Sequence, residues 1–365
     1  MISLMNEIDN SLIALDLPPI SDVVDNKKKS IQYINKILKQ HGNNVTIPFN
    51  SALSLYDFRV KHVLFSFGLG IVLSTFHNLK HKIEKEYKKY NINDAFIYTW
   101  LTVCLYHDFG YFISESHLKT NNIENLQLDY NIFDFSYCDS RYTKNLYCYY
   151  YKNKYERQNW IEKNYDISKN EEVGDHGILG GYVLFERLCS SEIKKERVIN
   201  SGQSMQPEEM CRLERVPLYQ DICFRIMEHN IWKNNDLYED SNPLYEIDAQ
   251  HFARIDFIEP LLYLLSLVDT IEMTKKFCKY SDDSEDKEHF VFPKTLGSKV
   301  KIEISNTYMD IDYSELERFI KKHNFIDEID SWKASVIGLN NWVCVDAIED
   351  KNSRIIVKTE VESSV

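Results

Sequence analysis

The sequence predicts a mainly α fold: a helical bundle with a small β-containing appendage at its C-terminal end. Only 11 glycines and 8 prolines interrupt 365 residues. Over long stretches apolar residues recur at intervals of three and four, the period of one helix face. Beyond residue 299 the pattern changes to short runs, "KVKIEIS", "NWVCVDAI" and "DKNSRIIVKTEV", whose β-branched residues and alternation suit strands. A hydrophobic content of 44% is enough for a large core.

In chain order, the opening "MISLMNEIDNSLIALDLPPI" carries acidic residues where a secretory leader would be basic. Helices are expected at 26–40, at 56–90 with a break, and at 94–107, 176–190, about 194–200, 218–229, 259–280 and 313–323. The segment at about 113–170 is rich in Tyr and Asn and lacks a clean period, so it reads as an insertion that packs on the domain through its tyrosines. "SDDSEDKEHF", 281–290, is an acidic exposed linker by composition. The last two strands are expected to meet at a turn over Asp350 to Ser353. The chain therefore divides into an N-terminal helical segment 1–49, a main domain 50–280, and a small α/β appendage with its linker at 281–365.

Composition excludes several classes of function. A net charge of -13 and a pI near 5.4 argue against a surface that neutralises many phosphates, as a protein tracking long nucleic acid needs. A small phosphorylated ligand is compatible with that charge. The eight cysteines contain no CxxC pair and no regular spacing, so neither a zinc knuckle nor a disulfide framework is indicated. No apolar run reaches the ~18 residues of a spanning helix. These features lead us to expect a soluble cytoplasmic protein with no membrane partner.

Against this background, five stretches place polar residues where apolar ones are expected. "CLYHDFGYF" ends a greasy run with His107 and Asp108; "DFRVKHVLFSFGLGIVL" embeds His62; "EEVGDHGILGGYVLFERL" puts His176 at a helix start; "CFRIMEHNIW" puts His229 at a helix end; "LLYLLSLVDTIEMTKK" buries Asp269. An unpartnered charge in such places is costly to desolvate. Each alone is compatible with a hydrogen-bonded core residue. Together, imidazoles and carboxylates form the ligand set for Zn, Mn, Fe or Ni, and helical proteins gather such ligands from several helices.

The order His62, His107-Asp108, His176, His229, Asp269 resembles the HD-domain superfamily of metal-dependent phosphohydrolases in its two-metal form. "HDFG" resembles the His-Asp-x-Gly of that family, and "LLSLVDTIE" its final apolar helix with an embedded Asp. The resemblance covers roughly residues 50 to 280. It implies that His62, His107, Asp108 and Asp269 hold one divalent transition metal, that His176 and His229 hold a second, and that Asp108 bridges them. Bound water activated there would attack a phosphate ester. Many relatives carry Lys after the glycine, whereas this chain has Tyr111. Arg59, one helical turn before His62, is then the first choice for meeting phosphate charge, ahead of Lys61 and Lys275. Asp175, beside His176, and Glu272, one turn after Asp269, are candidates to orient ligands or carry protons. His41, His77, His81, His117, His251, His289 and His323 sit among polar residues and are expected on the surface.

The leading expectation is hydrolysis of a nucleotide or other small phosphorylated substrate, with Asp108, Arg59 and Asp175 as the catalytic set. The resemblance also admits an HD-type nuclease of a phage-defence system, and a di-iron oxygenase of the inositol-oxygenase type. A binding or regulatory protein with a structural metal is the fourth reading.

Overall fold

The computed structural model describes residues 1–41, 57–90, 92, 94–110, 176–185, 216–229, 259–277, 292–322, 326–337, 347–350 and 353–358. In chain order these form β1 (Ile2–Ser3), α1 (Leu4–Ile13), α2 (Lys27–His41), α3 (Asp57–Leu73), α4 (Leu79–Tyr87), α5 (Ala95–Tyr106), α6 (His176–Phe185) and α7 (Val216–Glu228). There follow α8 (Pro260–Ile271), α9 (Thr274–Phe277), α10 (Pro293–Lys299), β2 (Lys301–Ile304), β3 (Tyr308–Asp312), α11 (Ser314–Lys322), α12 (Ile326–Ile337), β4 (Ala347–Asp350) and β5 (Arg354–Lys358). The described residues are mainly α with one small antiparallel sheet, as the sequence predicts. The Tyr/Asn-rich segment, the acidic linker 281–290 and the expected helix at 194–200 lie outside the described residues. Two units divide the chain: Met1–Glu84 with Phe252–Val365, and Lys85–His251.

The first unit is built around α3. Every residue from Val60 to Leu73 is buried, the signature of a helix enclosed on all sides. Helices α1, α2, α8 and α10 pack against it. Gly68 lets α1 come close, because a Cβ there would stand 2.5 Å from the Ile8 side chain. The sheet, in the order β1-β2-β3-β5-β4, belongs to this unit. Its register pairs Ile302 with Ile311 and Ile311 with Ile355, and these three side chains are buried together with Met309 and Val357. One edge strand comes from the other end of the sequence: Ile2 pairs with Ile302. In α12, Ile329, Trp332 and Val336 face inward, and the Trp332 indole donates to the Ile271 carbonyl at 2.9 Å.

That bond anchors the C-terminal end of α8, just past Asp269. Trp332→Phe keeps the ring bulk and loses the donor, so it is expected to cost about 1 kcal/mol. The urea midpoint of unfolding should fall accordingly; an unchanged midpoint would show that water replaces the contact without loss.

In the second unit, the described residues are dominated by three helices packed pairwise, α5, α6 and α7. All of α5 is buried. Among the described residues, no single helix is long and apolar enough to cross a membrane. Cys104 and Cys223 are buried free thiols, and burial pushes the Cys104 thiol well above its usual range.

Candidate metal centre

Helix α5 carries an unbroken apolar segment to Tyr106 and then turns, so that His107 and Asp108 emerge at its C-terminal end still inside the protein. They are 2% and 4% exposed. Two neighbouring helices bring the remaining imidazoles: His176 opens α6, and His229 follows the last turn of α7. Asp108 Oδ1 lies 3.5 Å from His107 Nε2 and 3.4 Å from His176 Nε2. The His229 ring stands edge-on to both, with centroids 5.8 Å from His107 and 5.1 Å from His176.

These spacings fit a shared cation better than direct hydrogen bonds. A good N–H···O contact is near 2.9 Å, whereas two ligands each about 2.1 Å from one ion stand roughly 3.0–3.4 Å apart at octahedral or tetrahedral angles. The ligand atoms of Asp108, His176 and His229 all lie within 4.8 Å of one another, so a modest closure gathers them on an ion.

Local backbone geometry prepares two of the imidazoles. His107 Nδ1 is 3.0 Å from the Cys104 carbonyl, and His229 Nδ1 is 2.6 Å from the Ile226 carbonyl. A carbonyl can only accept, so Nδ1 carries the proton in each ring and Nε2 keeps its lone pair. That is the tautomer in which Nε2 can ligate a divalent metal.

Glycines make the approach of the helices possible. A Cβ on Gly110 would fall 2.0 Å from the His176 carbonyl oxygen, and one on Gly180 would fall 2.3 Å from that of Tyr106. On the adjoining face, a Cβ at Gly177 would meet the His229 ring at 2.7 Å, and one at Gly181 the Cys223 carbonyl at 2.7 Å. The run "HGILGG" therefore sets α6 against both α5 and α7. Its spacing at positions 177, 180 and 181, small residues on two adjoining faces of one helix, is the sequence signal that could have revealed this.

A further buried group braces α7. Arg225 donates to Asp221 at 2.9 Å, and the Tyr87 hydroxyl donates to the same carboxylate. Burial, reinforced by the Asp221 charge, pushes the Tyr87 phenol well above its usual range. Arg225 is one turn before His229, and nothing in the sequence distinguishes it from a surface arginine.

The other expected ligands, His62 and Asp269, belong to the first unit. His62 is fully buried on α3, and its Nδ1 lies 3.0 Å from Glu272 Oε2, 3.2 Å from Thr274 Oγ1 and 3.4 Å from Ser66 Oγ. Burial pushes the Glu272 carboxyl up, but the His62 charge and bonds from His62, Thr274 and the Lys275 amide outweigh it and hold the group below the usual carboxylate range. Asp269, near the end of α8, is ion-paired with Lys275. Lys61 is buried, with its ammonium 5.3 Å from the centre of the Phe292 ring. His77, expected on the surface, is instead stacked on Tyr263 at 5.8 Å. The Arg59 side chain, Tyr111 and Asp175 lie outside the described residues.

Compared with protein-family models, with curated proteins and with solved structures, the chain matches none. What stands on its own residues is a helical protein with a buried His/Asp/His/His cluster able to hold a metal ion, compatible with an HD-type site.

Proposed function

We propose that the protein is a metal-dependent phosphohydrolase of the HD type, acting on a nucleotide or another small phosphorylated substrate. The observation that carries this reading is the cluster of His107, Asp108, His176 and His229, three imidazoles around one buried carboxylate. The ligand order assigns His62 and Asp269 to the same chemistry, and two divalent transition metals, Mn, Fe, Ni or Zn, to the complete set. When bound, such ions acidify water and offset phosphate charge. Asp108 supplies the negative charge that neutral imidazoles lack, and Cys104 and Ile226 hold two of those imidazoles in the ligating tautomer through their carbonyls. Arg59 and Asp175 are proposed to contact phosphate and to carry a proton.

Net charge bears on substrate size. A chain at -13 gains little from long-range attraction to a polyanion. Affinity for phosphate then rests on the metals and a few nearby cations. Few counterions are released when few phosphates are contacted, so binding should depend weakly on salt. The test is metal analysis of purified protein, then hydrolysis of mononucleotides, cyclic nucleotides and single-stranded DNA with the same metal across a salt series. Two equivalents of transition metal and faster turnover of the small substrates are expected. Faster cutting of DNA with a steep salt slope would establish the nuclease instead, and absence of metal would reduce the cluster to a hydrogen-bonded core.

A further inference from the structure

We infer that Glu272, locked by Thr274, sets the tautomer of His62 so that its Nε2 is the nitrogen presented to a metal. This rests on the proposed metal chemistry for its purpose, but not for its geometry. Glu272 follows α8, where the chain leaves helical conformation (φ -60°, ψ 125°). Its two oxygens meet four groups. Oε1 accepts from the Thr274 amide at 2.7 Å and from the Thr274 hydroxyl; Oε2 lies 3.1 Å from the Lys275 amide and 3.0 Å from His62 Nδ1.

A carboxylate offers about four lone-pair positions, all for acceptance. Three are taken by groups that can only be donors in this arrangement. The fourth faces the imidazole, so Nδ1 must donate there as well. The Thr274 oxygen at 3.2 Å reinforces this, because its own hydrogen is committed to Glu272 and the oxygen can only accept from the ring. In the neutral ring Nε2 is then the lone-pair nitrogen. Glu272 is fully buried and clamped from three sides besides the ring, which also fixes the plane in which His62 sits. Where the cluster of the second unit uses backbone carbonyls for this purpose, His62 uses an ionised side chain. A carboxylate is the stronger acceptor and raises the basicity of the ring it orients. Glu272 is therefore a positioning residue.

The experiment reads the tautomer directly. Metal-free protein labelled with nitrogen-15 in its histidine rings gives long-range proton–nitrogen correlations, with the His62 signal identified by its loss in His62→Gln. The expected pattern in the neutral ring is a protonated Nδ1 and a bare Nε2. A neutral ring with its proton on Nε2 and a bare Nδ1 overturns the inference. Glu272→Ala should admit the second tautomer and weaken zinc, measured by competition with a chromophoric chelator, by roughly 10–100-fold. Glu272→Gln, which still offers one oxygen, should keep the tautomer in larger part, and Thr274→Val should weaken zinc severalfold with helicity unchanged. Unaltered zinc affinity in all three variants also overturns it. Wild-type protein with the expected tautomer but no affinity for zinc or manganese would instead overturn the metal reading while leaving the lock in place.

Discussion

Asp108→Ala should abolish metal binding at the His107–His176–His229 cluster and cut hydrolysis of a generic phosphodiester by at least roughly 10²–10³, the loss typical for removal of one essential electrostatic group. Its carboxylate is the only anion among the described members of that cluster, 3.4–3.5 Å from two of the imidazoles. Without it, a divalent cation would face neutral rings alone in a buried setting, where uncompensated charge is costly. Asp108→Asn, nearly identical in shape, separates charge from packing and should lose metal almost as completely. Far-ultraviolet circular dichroism should be close to that of the wild type for both. Retained turnover at full metal occupancy would sink the assignment of Asp108. Collapse of the fold together with metal loss would mark the ion as structural.

Gly110→Ala is expected to be the most damaging of the conservative changes. Its new methyl would be placed 2.0 Å from the His176 carbonyl oxygen and 2.6 Å from the His176 Cα. Both obstacles are backbone, so no rotamer change relieves them. Either α6 moves away from the turn after α5 or the protein is destabilised, by about 3 kcal/mol or more on the scale of overpacked interiors. Both outcomes separate His176 from Asp108. A lowered midpoint of denaturation with weakened metal affinity is the expected pair of results; wild-type values for both would show that the turn is not as close to α6 as described. Gly180, 2.3 Å by the same measure from the Tyr106 carbonyl, should behave similarly.

How much of this was readable from residues alone depends on what kind of interaction carries each element. Helices such as α3, α5 and α8 announce themselves because their stability comes from burying apolar side chains at regular intervals, and their polar intruders, His62, His107 and Asp269, stand out for the same reason. Strand β3 did not. Its "YMDID" carries two aspartates, a composition that disfavours strands, and one of them needs a partner distant in sequence: Asp310 is fully buried against Arg354, with the Tyr308 hydroxyl of the same strand 2.7 Å away. Helix α12 was legible in principle through Ile329, Trp332 and Val336, but charged residues interrupt the period. The same distinction holds at the site. Ligand identities were visible as exceptions to a pattern, whereas the Glu272–His62 contact joins residues 210 apart with nothing local to signal it. The role of the glycines lay between these, since their spacing was visible and their neighbours were not.

The pairing of Ile2 with Ile302 also orders events in time. The second unit is continuous in sequence, whereas the first is assembled from two separated stretches. During synthesis, α1, α2 and α3 emerge long before the strands and helices that complete their core, and closing so long a loop is entropically slow. An early apolar helix such as α3 must therefore wait, with greasy surface uncovered, until most of the chain has been made. In that interval it depends on provisional burial or on chaperones, and a ribosome stalled just after His251 would release a chain whose second unit has all its residues and whose first does not.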